Sequence, residues 1–104
     1  MNMAEFPMDK NEVIATLHAH EPELKAAGIA HLALHGSVVR GEAGPESDVD
    51  LLYEFDRAVS LIGFEGIRNL ISDILGGVPV DLADRHRLRD HVRPNAEREA
   101  ELVF

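Results

Sequence analysis

Gly36-Ser37 is followed by ten residues and then by Asp48-Val49-Asp50, and both motifs sit at the edges of apolar runs. Ile29-Ala30-His31-Leu32-Ala33-Leu34-His35 leads into Gly36, and Val49-Asp50-Leu51-Leu52-Tyr53-Glu54-Phe55 leads away from Asp48. Runs of this length, rich in branched and aromatic residues and bounded by turn formers, read as strands. The chain is therefore constrained to a strand, a tight glycine turn and a second strand that opens with two carboxylates. A third apolar run, Val78-Pro79-Val80-Asp81-Leu82, carries one more aspartate.

Helical signals fill the space around these runs. Asp9 and Glu12 have the spacing of a capping box, and Val13, Ile14, Leu17 and Leu24 follow at near-helical intervals. Pro22 divides that segment into two and Gly28 closes it. Ser60 is placed to cap a helix in which Leu61, Phe64, Ile67, Ile71 and Ile74 form an apolar stripe, ending at Gly76-Gly77. Gly63 and Gly66 weaken its first turns by about 1 kcal/mol each relative to alanine. Beyond Asp84 the tail is dense in charge. Pro94 suits the first turn of a terminal helix, and Leu102-Val103-Phe104 either packs on the core or faces a partner.

With 104 residues, 45% of them hydrophobic, the expectation is a single domain, 1–104, with one modest core. Such a chain has no room for a second substrate-binding domain, so a large substrate must be gripped partly by a partner or a second copy. Nineteen acids against ten bases leave a formal charge of -9, which argues against nucleic acid as the main partner. A basic protein partner and a merely soluble acidic surface both fit. Cysteine is absent, which excludes disulfides and thiolate metal sites. No stretch approaches the roughly 18 apolar residues of a membrane span. Met1–Pro7 lacks the features of a secretory signal. The expected location is the cytoplasm, with no membrane partner.

Asp48 and Asp50 are two apart on a predicted strand, so their side chains leave one face with Cα atoms about 6.6 to 6.8 Å apart. Paired catalytic metals lie about 3.5 to 4 Å from each other, a separation that two such carboxylates can flank while Asp81 arrives from a neighbouring strand. Oxygen-only ligands favour Mg²⁺, with Mn²⁺ second. The bland alternative is a solvated turn at the strand entrance, and for Asp81 a strand-end aspartate. Gly36 and Ser37 can offer backbone N–H groups and a hydroxyl to phosphate oxygens at the start of a short helix. Arg40 can clamp a triphosphate, or simply pair with Glu42 or Glu46. The six histidines read as packed or solvated: His18 and His20 point to different helix faces, His31 and His35 share a strand face, and His86 and His91 have no evident partners.

Gly36-Ser37, Asp48-Val49-Asp50-Leu51-Leu52 and Val80-Asp81-Leu82 together resemble the polymerase-β-type nucleotidyltransferase superfamily. From about Leu24 onward the chain resembles its minimal branch, the antitoxins encoded beside HEPN-domain toxin ribonucleases. The resemblance implies an α+β fold, a small mixed β-sheet flanked by helices. It implies Asp48, Asp50 and Asp81 as catalytic metal ligands, with Asp81 also helping to deprotonate the acceptor, and Gly36, Ser37 and Arg40 around the triphosphate. It further implies Mg²⁺-dependent transfer of AMP from ATP to a tyrosine hydroxyl of a cognate HEPN toxin, in a hetero-oligomer with that toxin. Many relatives carry arginine directly after the Gly-Ser pair; here Val38 stands there, followed by Arg40-Gly41. Two other readings remain open at this point: a non-catalytic antitoxin that blocks the toxin by contact, and a transferase acting on a small molecule.

Overall fold

The computed structural model describes residues 9–44, 47–86 and 98–104. Asp9 opens α1 (Lys10–Ala19), its carboxylate accepting the Glu12 N–H at 2.8 Å. His20 ends that helix, and Pro22, harmless in a first helical turn, starts α2 (Glu21–Ala26). Gly28, at φ +114°, then turns the chain into β1 (Ile29–His35). A one-turn helix, α3 (Ser37–Arg40), follows and ends on left-handed Gly41. Next come β2 (Val49–Phe55) and α4 (Leu61–Ile74), the latter capped by Ser60 Oγ, which accepts the Gly63 N–H at 3.0 Å. β3 (Val80–Asp84) and the two-residue β4 (Glu101–Leu102) complete the described elements.

The strands form one mixed sheet in the order β3-β2-β1-β4. β2 runs antiparallel to β1 and parallel to β3, with α4 as the crossover that a parallel pair requires. Register gives the sheet two unlike faces, because paired residues share a side. Leu34, Leu51 and Leu82 align across one face, where they meet Val13 and Leu17 of α1, Leu24 of α2, Val38 of α3 and Ile67 and Ile71 of α4 in a single cluster. At its far end the cluster continues into Tyr53, Phe55 and Phe64, whose ring centroids lie 4.3 to 6.4 Å apart. The other face carries His35, Asp50 and Asp81 in one row, then Ala33, Leu52 and Ala83 in the next. Leu52 is only 2% exposed yet lies outside the main cluster, so this face too has a small dry area.

Two expectations change and one open choice is settled. Leu61 is 80% exposed instead of completing the α4 stripe; only from Ile67 does the helix bury fully against the sheet, with Leu75 added just past its end. The third strand begins after Pro79, not at Val78, since proline has no N–H for a ladder; its carbonyl instead accepts the Val49 N–H at 2.9 Å. Of the two readings of the tail, packing on the core holds for Val103, which is buried: its N–H donates to the Leu32 carbonyl at 2.8 Å and the Leu32 N–H donates to the Phe104 carbonyl at 3.2 Å, while Leu102 stays exposed. Pro94, proposed to start a terminal helix, lies outside the described residues, as do Glu46 and His91.

Candidate active site

The site is built where β1 ends and β2 begins. Because β1 and β2 are antiparallel, the end of one and the start of the other meet, and His35 pairs with Asp50. Because β2 and β3 are parallel, Asp50 pairs with Asp81. Two registers thus set His35, Asp50 and Asp81 in a line across three strands, although 31 positions separate the two aspartates in the sequence. Asp48 lies immediately before β2 and is exposed, as is Asp81, while Asp50 is half-buried between them.

Gly36 shows how tightly the turn is drawn over this row. Its φ of +81° lies in a region that L side chains rarely adopt, and a Cβ on it would collide with the Asp50 carboxylate. No other residue type fits between the α3 turn and Asp50 without moving one of them. The first turn of α3 leaves N–H groups without helical partners beside Ser37, donors that an anion could use.

The hairpin loop and the far end of α4 hold the aspartates in place. Ser47 Oγ accepts the Gly44 N–H at 2.8 Å and the Ser47 N–H donates back to the Gly44 carbonyl at 3.1 Å, fixing the chain just before Asp48. Ser72 Oγ donates to the Val78 carbonyl at 2.7 Å, tying α4 to the approach to β3 and so to Asp81. Neither serine was picked out from the sequence. Ser47 could have been, since a serine three residues after a glycine in a polar loop is a common turn device.

Burial pushes the Asp50 carboxyl above its ordinary range; the charges of Asp81 and Asp48 add to this, while those of His35 and Arg40 oppose it. Burial likewise pulls the His35 imidazole below its ordinary range, against the pull of Asp50, Glu99 and Asp81. Burial is the largest cause of both shifts. The donor set is all carboxylate oxygen, which suits Mg²⁺. Among the described residues no three acidic or histidine side chains converge closely enough to surround an ion alone. Mg²⁺ keeps several waters and takes phosphate oxygens from its substrate, so it uses few protein ligands. The residues fit a hard divalent cation shared with a nucleotide.

The structure extends the readings of His35 and Arg40. His35 is half-buried, in keeping with a packed histidine, and it shares a row with Asp50. Arg40 pairs with Glu42, as one reading had it, through Nε at 3.1 Å. It also donates from Nη1 to both oxygens of Glu99, at 3.0 and 2.9 Å, a partner 59 positions away that spacing gave no means of finding. His18, His20 and His86 do sit at the surface, against Glu21, Glu23 and Glu54 respectively.

A cavity of about 580 Å³ lies far from these groups, at the carboxyl ends of β2 and β3, bordered by Tyr53, Phe55, Phe64 and Leu61. It holds none of the candidate site residues.

Comparison with known proteins agrees with this fold. Residues 18–103 match the family model described as a nucleotidyltransferase domain. The protein adenylyltransferase MntA of Thermococcus cleftensis is 34% identical over 93 residues, covering 88% of this chain and 93% of that one. A solved chain described as a candidate minimal nucleotidyltransferase superimposes with a TM-score of 0.68 at 30% identity, covering 91% of this chain and 96% of its own. The fold also matches, with a TM-score of 0.62 at 13% identity and coverage of 88% and 71%, a structure of a tri-AMPylated Shewanella oneidensis HEPN toxin in complex with MNT antitoxin.

Proposed function

The chain belongs to the nucleotidyltransferase domain family, and we propose that it is the antitoxin of a toxin-antitoxin pair, transferring AMP from ATP to a tyrosine hydroxyl of a HEPN-domain toxin. The observation that carries this reading is the row formed by Asp50 and Asp81, with Gly36 pressed against the Asp50 carboxylate. A turn that can cradle phosphate beside carboxylates that can recruit a cation suits a nucleotide held by its phosphates. The protein acceptor is supported by the Thermococcus relative, a protein adenylyltransferase, and by the AMPylated toxin in the structural neighbour.

In this reading Ser37 and the N–H groups that open α3 hold the triphosphate, and Arg40 clamps it from the end of the same turn. Asp48, Asp50 and Asp81 would hold Mg²⁺, which when bound lowers the acceptor hydroxyl's pKa and neutralises the departing pyrophosphate. The acceptor oxygen attacks the α-phosphorus, a new P–O bond forms, and the bond to the bridging oxygen breaks to release pyrophosphate. Asp81, the outermost and most exposed of the row, takes the hydroxyl proton or passes it to water. Positioning and charge stabilisation supply most of the rate.

The test is the intact mass of a cognate HEPN protein after incubation with this chain, ATP and Mg²⁺. Added AMP masses are expected, and loss of at least about a hundredfold in rate for the Asp48→Ala, Asp50→Ala variant. One observation favours a second reading, inhibition by contact alone: the position where many relatives carry arginine is Val38, buried at 3% exposure, and Arg40 is engaged by two carboxylates. An unmodified toxin that is still silenced by the double variant would establish that reading instead.

A further inference from the structure

Arg40 is the cation of the phosphate turn itself, and it is already bonded on two sides. Glu99 takes both bonds from Nη1 and Glu42 takes that from Nε, three charge-assisted contacts on one guanidinium. Two carboxylates against one cation leave the cluster net negative, so a triphosphate arriving at Ser37 meets acid where its clamp should be. Val38 points into the core, so α3 offers no second arginine to replace it.

The two acids differ in how they are attached. Glu42 follows Arg40 by two positions and its N–H donates to the Ser37 carbonyl, so it belongs to the same turn. Glu99 comes from the other end of the chain, just before β4, whose Leu102 pairs with Ala33 of β1. Its grip therefore joins the phosphate turn to the C-terminal edge of the sheet. The pair is open to solvent, with Arg40 44% and Glu99 27% exposed by side chain, and screened pairs of this kind are weak enough to be exchanged for a better anion.

We propose that Glu99 is a built-in competitor for the nucleotide: it occupies Arg40 in the free chain and must be displaced before Arg40 can engage the triphosphate. This rests on the nucleotidyltransferase reading above. Nucleotide binding would then release the segment before β4, so that occupancy of the site is felt at the C-terminal edge. The opposite role, a carboxylate that merely orients Arg40, predicts the opposite sign, since its bonds would persist in the complex and its loss would weaken binding.

The deciding experiment is calorimetric titration of the full chain with a non-hydrolysable ATP analogue and Mg²⁺. Glu99→Gln, nearly isosteric and without the charge, is expected to bind about three- to tenfold tighter than the wild type, since bidentate pairs exceed ordinary surface pairs in strength. The gain should shrink toward nothing at about 0.5 M salt, where the Debye length falls to a few ångström. It should also vanish in an Arg40→Ala background, a result that a general change in folding would not produce. Glu99→Ala serves if the glutamine variant melts early. Equal or weaker binding by both Glu99 variants, with the wild type binding normally, overturns the competitor role and leaves the transferase reading standing. No binding by the wild type or any variant overturns both.

Discussion

Asp50 and Leu51 are adjacent on β2 and face opposite sides of the sheet, which are built for opposite ends. Leu51 is fully buried among Leu34, Leu82 and the helices, where each contact adds to stability. Asp50 sits half-buried, and that burial, with the charges of Asp81 and Asp48 added, raises its pKa against the opposing charges of His35 and Arg40. At an effective dielectric of about 20, two like charges about 4 Å apart cost on the order of 4 kcal/mol before rearrangement. One strand thus carries both the support for the fold and the load placed on it, divided by the simple alternation of side chains. The apolar face has to be strong enough to hold the polar one in an arrangement that it would not adopt alone.

Substitutions on the two faces should separate these contributions. The largest loss of stability is expected from Leu51→Ala, at about 2 to 5 kcal/mol from lost burial and the cavity left behind. For a chain of this size that lowers Tm by roughly 4 to 8 °C per kcal/mol, measurable by calorimetry. A shift below a few degrees would mean that the helices are not held through this face.

Gly36→Ala tests the junction between the faces. It asks an L side chain to adopt φ +81° and pushes a methyl into Asp50. A cost of about 1 to 3 kcal/mol is expected, together with nearly complete loss of AMP transfer, because relief requires moving the turn or the carboxylate. Retained transfer would show that the phosphate turn is not where this geometry puts it.

Asp50→Asn should act in the reverse direction, raising the metal-free Tm by a few degrees, about 1 kcal/mol, while abolishing transfer. The sign follows from the raised pKa: the native state favours the protonated acid, so stability from this group is whole below the ordinary value of 3.8 and is lost as pH rises through the folded value. The advantage of asparagine should therefore be full at pH 7 and disappear near pH 3. Mg²⁺ with nucleotide should stabilise the wild type and leave the variant nearly unmoved.

The smallest effect is expected for Leu61→Ser, within about 0.5 kcal/mol, because Leu61 stands out in solvent despite its place in the α4 pattern. A larger loss would mean that Leu61 is covered in solution, making the aromatic-lined cavity beside it a contact surface.

Much of this molecule was legible in the sequence because its signals are local. The bounds of β1 and β2, the caps at Asp9 and Ser60, the break at Pro22 and the closure at Gly28 are where composition and spacing put them. The motif around Gly36 and Asp48 needed only ten intervening residues to stand out, and Asp81 was found because a lone aspartate in an apolar run is conspicuous. The start of β3, the two-residue β4 and the exposure of Leu61 were not legible, because each depends on what lies alongside. A pair of residues such as Glu101-Leu102 has no periodicity of its own, and its strand exists only because β1 offers an open edge.

By itself the sequence determined most of the helices and strands, which residues carry charge, and that Gly36, Asp48, Asp50 and Asp81 are the candidate site positions. Side-chain stereochemistry, capping and hydrophobic alternation act over a few residues and can be read one segment at a time. The tertiary structure alone decided that Asp50 faces Asp81 and His35, that Gly36 closes on Asp50, and that Glu99 reaches Arg40. Those facts are matters of register between strands and of contact between distant parts of the chain, and register is set by the joint burial of Leu34, Leu51 and Leu82, which no single segment specifies.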